Sequence, residues 1–199
     1  ADVAGLALED EIVAVGSDLL DRHEEPQRRY HGVSHLAALI ELMAKHAANV
    51  AHGSPPRLAI WWHDAIYNPQ ARDNEERSAD LARDHLSRLG AAPAIIDETC
   101  RLILMTKNHW DGRSAGDGDY FLDADIAILG APADTYDTYA ANVRQEYCFA
   151  PDDLYRAGRS AFLKSALARP RLFRTGVFES AYAAPARANM QRELSSLAG

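Results

Sequence analysis

Four polar side chains stand where the surrounding sequence calls for apolar ones. His35 lies four residues before Leu39 and therefore shares the apolar face of a predicted helix. His63 and Asp64 are adjacent inside LAIWWHDAIY, and Asp125 lies inside FLDADIAILG, two segments that are otherwise largely apolar. Because a buried polar group without a partner costs several kcal/mol of stability, each of these four side chains needs a partner.

One divalent cation would satisfy all four side chains at once. Carboxylates neutralise its charge, and neutral imidazole nitrogens are good ligands for mid-row metals. Taken singly, each residue has an ordinary alternative, since a lone buried histidine is commonly a satisfied core residue and a buried ion pair would serve Asp125. Together they predict one ion, whose identity (Mn, Fe, Co, Ni, Mg or Zn) the sequence leaves open. Four protein ligands leave positions free on a six-coordinate ion, as a catalytic site requires.

The elements that must position these residues are all predicted to be helices. Apolar residues recur at helical spacing, and neither an alternating strand nor an Asn-Gly hairpin occurs. The predicted helices cover 6–20, 33–50, 58–67, 74–89, 94–107, 120–129, 136–147, 152–168 and 180–197. The glycine-rich segment 111–119 is either a flexible loop near a site or a surface connection. The expected fold is therefore an all-α helical bundle with a metal site between helices.

Composition narrows the class of protein. With 199 residues, 47% hydrophobic and 25% charged, the chain is typical of one globular domain. We expect a motif core at about 28–147, with the C-terminal helices 152–197 packed on it. The net charge of −8, without a long basic run, argues against a nucleic-acid scaffold protein. No apolar stretch approaches the roughly 20 residues of a membrane span and no secretory signal is apparent, so a cytoplasmic location is expected.

Several residues are expected to have no functional role. Cys100 and Cys148 are too few for a disulfide framework, which disfavours redox chemistry. The segment 168–174, ARPRLFR, is expected to be a solvated face. The remaining histidines are assigned to the surface: His23, His46, His52 and His85. Nothing in the sequence indicates an oligomeric state.

The ordered donor set resembles the signature of the HD superfamily of metal-dependent phosphohydrolases, which is a histidine, then a His-Asp pair, then a distant aspartate. Several segments of the sequence are also similar to those of one uncharacterised bacterial branch of predicted HD phosphohydrolases. These segments are RRYHGVSHL, WWHDAIYNP, NEERSADLA, ILMTKNHW, LDADIAILG and VRQEY. The resemblance extends from about Arg28 to at least Tyr147, and ARANM at 186–190 is similar as well. It implies an all-helical fold with the metal between helices, and it is the source of the expected phosphohydrolase activity.

The resemblance also implies catalytic roles. His35, His63, Asp64 and Asp125 would hold the ion, which lowers the pKa of a water and polarises a phosphoryl oxygen, so Asp64 also counts as catalytic. The spacing of His31 and His35 resembles the YHxxxH arrangement of related cyclic nucleotide phosphodiesterases, in which the first histidine protonates the leaving oxygen. Alternatively, His31 orients a ligand or caps the helix.

Glu75 opens the segment NEERSADLA and is expected to orient the attacking water. Acids in a first helical turn are also favoured by the helix dipole, which is the alternative explanation. In relatives a histidine stands in place of Asn74, and a second ion can be held there beside the first. An amide is a weak metal ligand, so the sequence predicts one ion per chain.

Lys107, Asn108 and His109 close a predicted helix just before the glycine-rich segment. A cation, an amide and an imidazole at this point are expected to bind the phosphate of the substrate, and relatives carry a histidine here. Basic residues near a helix C-terminus also complement the helix dipole, so a purely structural role is the alternative.

The predicted function is therefore metal-dependent hydrolysis of a phosphate monoester or diester of a small metabolite, with a nucleotide as one candidate substrate. A di-iron HD-type oxygenase is a second hypothesis, but it needs further histidines, and Asn74 stands where one would be useful. A non-catalytic module that binds metal or ligand is a third. Metal content and turnover of phosphate esters would separate the three.

Overall fold

The structure, a computed structural model, describes residues 3–46, 48, 50, 54–112 and 115–198, with no strand among them. Nine α-helices lie in these ranges: α1 Val3–His23, α2 Val33–Lys45, α3 Pro55–Trp62, α4 Asn74–Arg88, α5 Pro93–Met105, α6 Gly118–Ile126, α7 Ala133–Glu146, α8 Asp152–Leu167 and α9 Gly176–Ala198. Short 3₁₀ helices occupy Thr106–Asn108 and Ala127–Gly130. The all-α prediction is confirmed. None of the described helices combines the length and the apolar character that a membrane crossing demands.

The helix ends follow local sequence rules. Prolines occupy the first turn of α3 and of α5, where their fixed φ angle suits a helix and no backbone donor is lost. After α4, Gly90 adopts a φ of 73°, a left-handed conformation that favours glycine and terminates the helix.

Helix α3 lies at the centre of the bundle. It packs against α2, α4, α5 and α6, which explains why its sequence is apolar on nearly every side. Helix α9 packs against α8 and covers the 3₁₀ helix that follows α6. Most of the largest fully buried side chains come from helices α2 and α5 to α9, among them Leu36, Leu39, Met43, Leu102, Ile103, Phe121, Leu122, Tyr136, Leu163 and Phe178.

The predicted helix at 58–67 is wrong in its second half, because α3 ends at Trp62. The buried guanidinium of Arg28 donates to the backbone carbonyls of Asp64 (2.6 Å) and Ala65 (3.1 Å). Hydrogen bonds from a side chain thus replace those that a continuing helix would make. The His63-Asp64 pair therefore follows the helix instead of lying within it.

The histidine prediction is wrong for two residues, since His23 and His85 are only 2% and 5% exposed. His23 donates from Nδ1 to the Leu19 carbonyl, and His85 Nδ1 accepts from the indole of Trp62. These partners remove much of the cost of burial. His46 is partly buried, and His52 lies outside the described residues.

The expected solvated face at 168–174 is also wrong in part. Leu172 and Phe173 are buried, and their backbone N–H groups both donate to the carboxylate of Glu179 in α9. The carboxylate of Asp123 accepts the backbone N–H groups of Arg174 and Thr175, both at 2.7 Å. The segment is therefore anchored between α6 and α9.

Gly130 allows a close approach between the 3₁₀ helix after α6 and helix α9. A Cβ atom at this position would lie 2.6 Å from the carbonyl oxygen of Tyr182. We expect Gly130→Ala to lower the free energy of unfolding by about 1–3 kcal/mol, because backbone atoms must move apart. Chemical denaturation followed by circular dichroism would measure the loss.

Gly158 offers a matched control for that substitution. It lies in α8, and a Cβ atom there would meet nothing within 4 Å. Gly158→Ala should raise the free energy of unfolding by about 0.5–1 kcal/mol, since alanine loses less backbone entropy in a helix. Equal effects of the two substitutions would contradict the packing argument.

Candidate metal centre

Three elements bring the four predicted metal ligands together. His35 lies in the first turn of α2, His63 and Asp64 directly follow α3, and Asp125 lies near the end of α6. The two histidine Nε2 atoms are 3.2 Å apart. From His35 Nε2 the nearest carboxylate oxygens of Asp125 and Asp64 lie at 3.0 and 3.7 Å. From His63 Nε2 they lie at 3.4 and 3.1 Å.

These distances suit a single ion. Ligand bonds of about 2.0–2.2 Å place neighbouring ligand atoms about 3.0–3.5 Å apart around a shared metal. His35, His63 and Asp64 each offer a ligand atom within 4.8 Å of the others, and Asp125 lies within 3.4 Å of both histidines. The donor set matches the nitrogen and oxygen ligands that mid-row divalent ions prefer.

His63 is oriented as a metal ligand. Its Nδ1 lies 2.9 Å from the backbone carbonyl of Ile60, which can only accept a hydrogen bond, so Nδ1 carries the proton. In the neutral imidazole the lone pair then lies on Nε2, the atom that faces the other three donors. A backbone partner of this kind fixes both the tautomer and the direction of the ring.

The charges in the cluster favour a cation. Burial alone raises the pKa values of Asp64 and Asp125, but the charge of the adjacent His63 lowers them by a larger amount. The net pKa of each carboxyl is therefore below its ordinary value, and both are ionised. Burial lowers the pKa of His63, whereas the two carboxylates raise it well above its ordinary value. A proton on His63 thus balances the carboxylates, and an ion would displace that proton on binding.

A cleft of about 730 Å³ opens beside the cluster, and both carboxylate ligands line it. The predicted catalytic and substrate-binding residues line the same cleft: His31, Asp64, Glu75, Lys107, Asn108 and His109. His35 and His63 are buried, with 4% and 1% exposure. The structure therefore brings all nine predicted site residues to one place.

Glu146, which sequence reasoning missed, holds His31. Its Oε2 lies 2.7 Å from His31 Nδ1, and its Oε1 accepts the backbone N–H groups of Arg29, Tyr30 and His31 at 2.7–3.0 Å. The Tyr67 hydroxyl donates to Oε2 at 2.8 Å, and its ring stacks on the imidazole with 4.4 Å between centroids. His31 does not cap α2, because Gly32 occupies the N-cap position.

The position of Glu146 in the sequence did carry a signal. It lies three residues after Val143 and seven after Tyr139, both of them buried, so a helical pattern places it on the inward face of α7. A buried acid on such a face needs a donor, which would have directed attention to this residue.

Electrostatics favour the protonated form of His31. Burial lowers the pKa of His31, but the hydrogen bond to Glu146 and the charge of Asp64 outweigh burial, so the pKa rises above its ordinary value. Burial raises the pKa of Glu146, whereas His31 and the backbone donors lower it to about 2. The pair therefore consists of a carboxylate and an imidazole that readily holds a proton.

Two of the predicted phosphate-binding side chains are already hydrogen-bonded to neighbouring residues. Lys107 Nζ donates to Glu76 (2.5 Å) and to the Arg72 carbonyl (2.7 Å), so its charge is largely neutralised. The amide of Asn108 donates to Asp111 at 2.6 Å. Both residues line the cleft, but substrate binding by either would compete with these local partners.

His109 contacts a proposed metal ligand, and Glu75 lines the cleft. His109 Nε2 lies 2.6 Å from Asp125 Oδ2, the carboxylate oxygen that does not face the two histidines, so it orients a predicted ligand. Glu75 lines the cleft with 27% of its side chain exposed and its Oε2 3.8 Å from Lys107 Nζ. Its role in orienting water stays a prediction.

We expect one divalent ion per chain. Asn74 Oδ1 accepts the backbone N–H of Asn68 at 3.0 Å, and its Nδ2 donates to the carbonyl of the same residue at 2.9 Å. Both ends of the amide are therefore occupied and would have to be released to bind a second ion. Elemental analysis of protein purified without added metal should give one equivalent, and two equivalents would contradict this reasoning.

The site is thus defined by four converging donors, an open cleft and a histidine held by a carboxylate. These features describe a centre that can bind a cation and present a proton to a ligand. Comparison of the chain with protein-family models, with curated proteins and with solved structures gave no match.

Proposed function

We propose that this protein is a metal-dependent phosphohydrolase of the HD type, acting on a phosphate ester of a small metabolite. The observation that carries the proposal is that His35 and His63 lie 3.0–3.7 Å from each other and from the carboxylates of Asp64 and Asp125, beside an open cleft. When bound there, a divalent ion supplies an acidified water and an electrophile for a phosphoryl oxygen. The ordered His, His-Asp, Asp pattern resembles the HD superfamily and supports the same proposal.

His31 provides the general acid. Its Nδ1 is engaged by Glu146, which leaves Nε2 as the nitrogen that can deliver a proton to a ligand in the cleft. The carboxylate stabilises the protonated ring and fixes its direction, as the aspartate does in Ser-His-Asp triads. Donation to the leaving oxygen avoids the release of an alkoxide, which is a poor leaving group at neutral pH.

The other cleft residues position the substrate and water. Glu75 lines the cleft and in this proposal accepts a hydrogen bond from the attacking water, while His109 holds the carboxylate of Asp125 in place. The cleft volume lies within the roughly 300–1,000 Å³ typical of small-molecule sites. A nucleotide is one candidate substrate of this size, and a cytoplasmic location is part of the same proposal.

The test is turnover by protein loaded with one metal at a time. Protein stripped with EDTA would be reloaded with Mn, Fe, Co, Ni, Mg or Zn and assayed against phosphate monoesters and diesters, including nucleotides. We expect hydrolysis with at least one metal and none after stripping. Protein that holds an ion but hydrolyses no ester would support a binding module, and two irons with dioxygen consumption would support an oxygenase.

A further inference from the structure

Arg169 stands apart from the other cations of the cleft. It lies just beyond the end of α8 and lines the cleft together with the proposed metal ligands Asp64 and Asp125. Its guanidinium carbon lies 4.8 Å from the centroid of the Trp110 ring. Within the described parts of the chain, its buried Nε atom has no hydrogen-bond partner. A buried N–H of a charged group without an acceptor is costly. The guanidinium also forms no ion pair with any described residue, so its charge is available to an anion that enters the cleft.

The surroundings hold this guanidinium in place. The indole N–H of Trp110 donates to the Leu172 carbonyl at 2.8 Å, which fixes the ring beneath Arg169. The side chain of Arg187 donates to the backbone carbonyls of Leu167 (3.0 Å) and Arg169 (2.6 Å), which fixes the backbone. Few degrees of freedom then remain to be lost when a ligand binds.

Two other cations on the cleft wall are already paired. Arg159 forms two hydrogen bonds with the carboxylate of Glu193 at 2.8 and 3.0 Å, and Lys107 donates to Glu76 at 2.5 Å. Neither needs an anionic ligand.

Arg72 also lines the cleft, and its side chain has no ion pair among the described residues, but it is exposed to solvent. Arg169 is instead half-buried against the Trp110 ring, so it is the unneutralised cation that the protein holds in a defined position on the cleft wall.

Contacts connect Arg169 to the metal centre. Asp125 touches His109, the next residue is Trp110, and its ring lies under the guanidinium. Asp64, Asp125 and Arg169 also line the same cleft of about 730 Å³, so one ligand in it can approach both the metal donors and Arg169. Guanidinium groups bind phosphates and carboxylates through two parallel hydrogen bonds, whereas a neutral group would leave the charge unmet.

We propose that Arg169 binds a second anionic group of the substrate, a phosphate or a carboxylate. The inference rests on the proposed function, since the first anionic group is the phosphate ester at the metal centre. The substrate class is then a small metabolite phosphate that carries another oxyanion. A local cation on the cleft wall also counters the repulsion that the net charge of −8 exerts on a substrate with two anionic groups.

The test compares paired substrates that differ by one anionic group. Adenosine 3′,5′-bisphosphate against adenosine 5′-monophosphate tests a second phosphate, and 3-phosphoglycerate against glycerol 3-phosphate tests a carboxylate. In the wild type, kcat/KM should be at least about tenfold higher for one doubly anionic member than for its partner. In Arg169→Gln that ratio should fall towards one, mainly through KM, and Arg169→Lys should restore part of it.

Arg192 gives the matched control, because its guanidinium also lies over an aromatic ring, that of Tyr136, but does not line the cleft. Arg192→Gln should leave the substrate ratio at the wild-type value. If esters are hydrolysed and Arg169→Gln keeps the full ratio for both pairs, the inference is overturned while the phosphohydrolase proposal stands.

A binding measurement separates this inference from the proposed activity. Inorganic pyrophosphate would be titrated into EDTA-treated protein while tryptophan fluorescence is followed, with Trp110→Phe identifying the signal of the indole under Arg169. We expect saturable binding that weakens about tenfold or more in Arg169→Gln and is unchanged in Arg192→Gln. Such binding without hydrolysis of any ester would support the anion site and refute the proposed activity. Equal binding by wild type and Arg169→Gln would refute the anion site.

Discussion

Replacing His63 with alanine is expected to remove the bound ion and ester hydrolysis together. The substitution deletes a ligand whose Nε2 lies within 3.4 Å of the other three donors. Loss of an outer hydrogen-bond partner alone typically weakens metal binding about 10–100-fold, so loss of the ligand itself should exceed about 100-fold. Asp64→Ala should act in the same way. Metal content after dialysis and turnover of the best ester would be measured on both variants.

His85→Ala controls for the removal of a buried imidazole elsewhere. His85 is bonded to the indole of Trp62 and does not line the cleft. The variant should lose stability but keep one ion per chain and its turnover. A His63→Ala protein that retained a full equivalent of metal together with activity would refute the proposed centre.

Replacing His31 with alanine should have an equally large effect on turnover but a different signature. The four proposed ligands stay in place, so the ion should remain bound. Loss of a general acid lowers the rate by about 10²–10⁴-fold, and we expect a decrease of this size in kcat. If His31→Ala lost metal as completely as His63→Ala does, His31 would have to be reassigned as a ligand.

Glu146→Gln tests the same role through pH. A general acid must be protonated, so kcat/KM falls as the pH rises through the pKa of His31. Burial lowers that pKa and the hydrogen bond to Glu146 raises it, and a neutral amide cannot replace the charge of the carboxylate. The alkaline limb of the profile should therefore move to lower pH while metal content stays the same. If the alkaline limb of the kcat/KM profile stayed at its wild-type pH, Glu146 would have only a structural role.

Glu193→Gln is the matched substitution for this pH experiment. Glu193 is also a carboxylate engaged by side chains, in this case Arg159 and Tyr136, but it does not line the cleft. The variant should leave the alkaline limb where it is in the wild type.

The sequence predicted the donor cluster because periodicity reveals burial. A helical pattern shows that His35 and Asp125 point inward, and a polar pair in a run such as LAIWWHDAIY has few structural explanations. The all-α class followed from the same periodicity. Both inferences need only neighbours within one or two helical turns, which is the range over which a sequence pattern carries information.

The features that were missed depend on contacts between distant residues. Arg28 ends α3 before His63 by bonding to carbonyls 36 and 37 residues away. The neutralisation of Lys107 by Glu76 joins residues 31 apart. The anchoring of segment 172–175 depends on Asp123, which accepts the backbone N–H groups of Arg174 and Thr175 from 51 and 52 residues away. No local pattern encodes such pairs, because many arginines, lysines and acids compete for each partner.

The contacts of Glu146 bear on the order in which the site assembles during folding. All four metal donors lie between residues 35 and 125, whereas Glu146 reaches back 115–117 residues to the backbone of 29–31. Loop length alone does not order the two events, because the donors already close a segment of about 90 residues and each doubling of length costs only about 0.6 kcal/mol. The order of synthesis does separate them. During synthesis, the donors emerge from the ribosome before α7 is complete. Metal capture can therefore precede the step that fixes His31, so an early intermediate would hold its ion before it is competent for catalysis.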